Sequence, residues 1–86
     1  MLRISRVVEG ASCVTLRVEG RIVAEWVLLL ERECWLALQE KPPMRLDLSG
    51  VTFIDGGGVV ALRRLGANGL EIINSPEFIR ELLGAP

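Results

Sequence analysis

The chain contains no histidine, so the usual neutral-pH general base and the commonest metal ligand are missing together. Neither a catalytic residue nor a metal or other cofactor is expected. It also has no basic run: 10 Lys and Arg are nearly cancelled by 11 Asp and Glu, so nothing tracks a phosphate backbone and nucleic acid is not the expected partner. Its two cysteines, Cys13 and Cys34, lie far apart and make no C-x-x-C pair. Two buried thiols in a reducing cytoplasm are the reading, with a disulfide as the alternative. The longest uninterrupted apolar run, Trp26–Leu30, falls far short of the roughly 20 residues that span a bilayer. The first residues alternate like a strand and hold no apolar signal core. The expectation is a soluble, cytoplasmic protein with no membrane insertion.

What is present is one small domain over residues 1–86 with a modest core. Its centre is Met44–Gly66. Leu46 and Leu48 alternate with Arg45, Asp47 and Ser49, which predicts a strand over Met44–Ser49 broken by Ser49–Gly50. Val51–Ile54 is then an apolar loop, and Asp55 stands where a helix N-cap belongs. Val59, Leu62 and Leu65 follow at helical spacing, with Gly66 and Asn68–Gly69 as the stop.

Around this unit, Leu2, Ile4 and Val7–Val8 predict a first strand, Glu9–Ser12 a hairpin turn, and Val14, Leu16 and Val18 a second, antiparallel strand. Arg21–Leu38 is read as a helix packing Trp26, Val27, Leu30, Cys34, Ala37 and Leu38 on the sheet, ended by Glu40–Pro43. Leu70–Asn74 is a fourth strand, and Ser75 caps a last helix with Pro76 at its first position. The order is β-β-α-β-α-β-α: an α/β fold with a four-stranded mixed sheet and its helices on one face. The other face carries Arg3, Thr15, Arg17, Arg45, Asp47 and Glu71 and is expected to be solvated. Asp47 is read as a cross-strand partner of Arg17 or Arg45.

Asp47-Leu48-Ser49-Gly50-Val51-Thr52-Phe53-Ile54-Asp55, followed by glycine and an aliphatic helix, resembles the signature of STAS domains, found in anti-sigma-factor antagonists and in the tails of anion transporters. Asn74-Ser75-Pro76-Glu77 is similar to the family's strand-to-helix turn, and the resemblance covers roughly residues 2–83. It implies a non-enzymatic regulatory interaction module. Its partner would be a kinase-like anti-sigma factor, another sensor component or the ATPase of a transport system; a small-ligand (nucleotide or lipid) binder is the alternative. Family members continue into a fifth strand, so the fourth strand here is expected to present an open edge. In phosphorylatable members the Asp is followed by Ser or Thr and then by the modified Ser. Aligned on Asp55, those positions are Gly56 and Gly57, and neither carries a hydroxyl.

Candidate sites follow from these readings. Asp55, Gly56, Gly57 and Gly58 form a side-chain-poor helix start suited to close approach of a partner, with Arg63 and Arg64 as a polar rim. Its structural reading is a tight turn into a packed helix. Ser49 and Thr52 are read as bonding loop backbone, with a phosphosite at either as the alternative. Leu28, Leu29, Trp35 and Leu36 form a second apolar strip on the long helix, a candidate surface for a homodimer or another partner.

Overall fold

Leu2–Glu9 (β1) and Cys13–Ile22 (β2) form an antiparallel pair in which Ile4 faces Val18 and Arg6 faces Leu16. Glu25–Leu38 (α1) crosses over to Arg45–Ile54 (β3), which runs parallel to β2. Gly56–Ala67 (α2) crosses to the short parallel strand Glu71–Ile73 (β4), and Glu77–Leu82 (α3) follows. The sheet order is β1-β2-β3-β4, so β1 and β4 are its two edges, as expected for β4. The computed structural model describes residues 2–9, 13–40 and 44–84. The predicted turn residues 10–12, the Lys41–Pro43 helix stop and the final 85–86 lie outside the described residues.

The three helices form one layer. Val27, Leu30, Cys34 and Ala37 of α1 and Ala61, Leu62 and Leu65 of α2 are buried against Leu16, Val18, Leu46 and Leu48 of the sheet, and Ile79 of α3 closes the far end. Arg64 of α2 pairs with Glu31 of α1 at 3.3 Å, and Arg63 donates to the Leu82 carbonyl at the end of α3 at 2.8 Å.

Three expectations are corrected. Ser49–Gly50 does not break the third strand, because β3 runs on to Ile54. Two register shifts, between Arg17 and Glu19 and between Gly20 and Arg21, each add a residue to β3 relative to β2. Each shift flips the side-chain phase, so the buried positions step from Leu46 and Leu48 to Val51 and Ile54. At the first shift Gly50 lies so close to β2 that a Cβ there would sit 2.7 Å from Glu19 Cγ. Correspondingly, β2 continues through Gly20 to a fully buried Ile22, and α1 begins at Glu25 rather than Arg21. Finally, Pro76 is itself the N-cap position of α3, with no side-chain cap, so Ser75 does not cap the helix.

The polar face is also less wet than expected. Thr15 and Asp47 are both buried. Asp47 accepts from the Ser49 amide at 2.8 Å and from the Asn74 side-chain amide at 3.2 Å, and Arg17 is its partner across the strands. Asn74 reaches it from a left-handed backbone, φ 54°, which asparagine tolerates. Burial opposes the Asp47 charge, yet these hydrogen bonds and the Arg17 charge hold its pKa below the ordinary value.

Candidate functional site

The carboxyl ends of the parallel strands β2 and β3 put two loops side by side, Val23–Ala24 and Asp55–Gly56. A single carboxylate joins them. Asp55 Oδ1 accepts from the Gly58 amide at 2.8 Å, the expected N-cap of α2, and Oδ2 accepts from the Ala24 amide at 3.0 Å. Ala24 has φ 49°, a conformation that costs an alanine of order 1–3 kcal/mol, so this second bond holds a strained turn in place. The Asp55 amide in turn donates to the Ile22 carbonyl at 3.0 Å. The Ala24 and Gly58 hydrogen bonds lower the Asp55 pKa, keeping it charged.

The three glycines of this helix start differ sharply. A Cβ on Gly58 would lie 2.6 Å from Ile54 Cγ1 and 2.9 Å from Ile22 Cγ2, both core side chains. Gly58 is therefore the close-packed entry predicted by the structural reading. A Cβ on Gly56 meets nothing within 4 Å, and one on Gly57 comes no closer than 3.5 Å, to Asp55 Oδ1. Gly56 and Gly57 are exposed, and packing gives no reason for either.

Thr52 Oγ1 donates to the Gly20 carbonyl at 3.2 Å, and Ser49 is tied to Asp47 through its amide at 2.8 Å, with its hydroxyl also helping to lower the Asp47 pKa. Beside the loops, Arg21 lies over the ring of Phe53, 5.2 Å from its centroid, and Phe53 and Val60 are exposed. Sequence reading missed the Arg21–Phe53 pair and Ala24. The two register shifts that lengthen β3 turn Phe53 outward, and only the alternation beyond Gly50 held a signal for it.

The other candidates lie elsewhere. Arg63 and Arg64 are exposed but engaged with α3 and α1, further along α2 than the glycines. Leu28, Leu29, Trp35 and Leu36 fall into two pairs along α1. At 100° per residue Leu28 and Trp35 share one flank of α1 and Leu29 and Leu36 the other. Trp35 is half-buried against the core, whereas Leu28 and Leu36 are 71% and 55% exposed. Among the described residues no helix is long and apolar enough to cross a membrane.

The sequence profile of the STAS domain matches residues 5–67. No curated protein matches the chain. Among solved structures, the anti-sigma factor antagonist SpoIIAA in its unphosphorylated form superposes with a TM-score of 0.65 at 15% identity, covering 98% of this chain and 84% of that one. A crystal structure of Mglu superposes with a TM-score of 0.59 at 21% identity, over 87% of this chain but only 19% of Mglu. At these identities the likeness establishes the fold.

Proposed function

The chain belongs to the STAS domain family, and from that premise we propose that it is a non-enzymatic regulatory module that binds a protein through the start of α2. The observation that carries this reading is the pair Gly56 and Gly57. They are exposed and unconstrained by packing, next to a third glycine that packing requires. Residues free to carry side chains but lacking them leave the backbone of a helix start open to close approach. Asp55 is fully committed to two intrachain amides, so it serves as the rigid frame of that surface.

The family likeness suggests an anti-sigma-factor-type protein with a kinase-like fold as the partner, in a bacterial cytoplasm; the ATPase of a transport system would use the same surface. With Gly56 and Gly57 in place of the hydroxyl residues, the module behaves as a permanently unphosphorylated antagonist. The test is affinity capture by the native chain and by Gly57→Glu, which puts a carboxylate where a phosphate would sit. Cβ at Gly57 has ordinary clearance, so the variant folds. Capture by the native chain and loss by the variant are expected; equal capture by both overturns the assignment of the surface. Stoichiometric phosphate on any hydroxyl after incubation with the partner and ATP overturns the unswitched reading.

A further inference from the structure

On the helix side of the edge strand β1, cover falls away along the strand: Leu2 is buried in the core, Ile4 partly buried and Arg6 exposed. Between that strand and the flank of α1 runs an open groove of about 340 Å³. Ile4, Leu16 and Met44 form its floor and outer wall, and Leu29, Glu33 and Leu36 its helical wall. Arg6 stands on the outer wall, on an inward-facing strand position that edge strands usually reserve for apolar groups. Among the described residues its one ion pair, with Glu40, is 3.7 Å long and exposed.

We infer that this groove is a homodimer interface, occupied by the α1 flank of a second copy across a two-fold axis. Three features match the groove to this chain's own helix. The flank is apolar at both ends and acidic in the middle, Leu29-Glu33-Leu36, while the outer wall of the groove is apolar with one cation, Arg6. Each copy thus offers both the acid and the base, which is what an isologous contact requires: Glu33 of either copy meets Arg6 of the other. Leu36, 55% exposed, lies on this flank and is covered by the docking. A partner of uniform charge would leave either Arg6 or Glu33 opposed by its own sign. The dimer also leaves the Gly56–Gly57 surface free, because that surface lies at the ends of β2 and β3 and not on β1.

Sedimentation equilibrium of the whole chain tests this. The native protein is expected at twice its 9.5 kDa chain mass. Arg6→Glu alone and Glu33→Arg alone should each weaken the dimer by about tenfold or more, and the double reversal should restore it, because it exchanges the charges without changing the match. Both side chains are at the surface of the groove, and unfolding curves of the variants verify that the fold is retained. A native chain that stays at 9.5 kDa into the high micromolar range, or a dimer indifferent to the single reversals, overturns the proposal. So does a monomer whose groove takes a small apolar ligand or another protein's helix.

Discussion

Replacing each of the three adjacent glycines with alanine should give effects of opposite sign. At Gly58 the added methyl sits 2.6 Å from Ile54 Cγ1 and 2.9 Å from Ile22 Cγ2, and 3.1 Å from the Ile22 carbonyl oxygen. Ile54 is 5% exposed and Ile22 not at all, so neither side chain can swing into solvent, and the carbonyl is tied to the Asp55 amide. Overpacking of this kind costs about 1–3 kcal/mol. Alanine recovers at most about 1 kcal/mol of helix propensity, less in a first turn. The net loss at Gly58 is then about 1–2 kcal/mol, a drop in Tm of roughly 5–15 °C for a domain of this size. At Gly56 the methyl meets nothing and φ is not positive, so only the propensity gain remains, about 0.4–1 kcal/mol. Urea unfolding followed by the fluorescence of Trp26 and Trp35, with unchanged m-values, reads both numbers. A Gly58→Ala protein as stable as the native one, or Gly56→Ala losing as much as Gly58→Ala, refutes the division of the triglycine into one packed and two open positions.

Acid should weaken the fold through Asp47 and Asp55. Both pKa values are lowered from 3.8 in the folded chain, so the unfolded chain binds more protons below that value. Their stabilisation is complete above it and is lost as pH falls through the lower folded values. Asp55→Asn, which keeps a good cap, should flatten that acid limb, and an identical limb in the variant would show that Asp55 contributes nothing to it. Burial pushes the Cys34 thiol up to about 12, so in a Cys13→Ser background it should resist thiol reagents until the chain unfolds; rapid labelling of the native state would contradict the burial.

The order of elements was legible because each stretch of chain keeps its own period: Leu16 and Val18 alternate, and Leu30, Cys34 and Ala37 recur at helical spacing. The ends of β2 and β3 were illegible because two register shifts break the alternation where it was being followed. Gly20 and Ser49–Gly50 look like punctuation in one dimension, and only the neighbouring strand reveals them as bulged pairing. The cap at Asp55 was visible, since an acceptor three residues before an amide is a local relation. Its second bond, to Ala24, is a contact between distant parts of the chain that no local pattern encodes. The same holds for Asp47, whose hydrogen bond from Asn74, just past β4, joins distant parts of the chain.

Asp55 also sets how the molecule breathes. Its two oxygens hold amides in two different crossovers, Ala24 ahead of α1 and Gly58 in the first turn of α2. A fluctuation that swings this one side chain away exposes both amides at once. In hydrogen-exchange terms, two sites remote in sequence report a single opening event. A protein that grips the start of α2 would slow exchange at Ala24 without touching it.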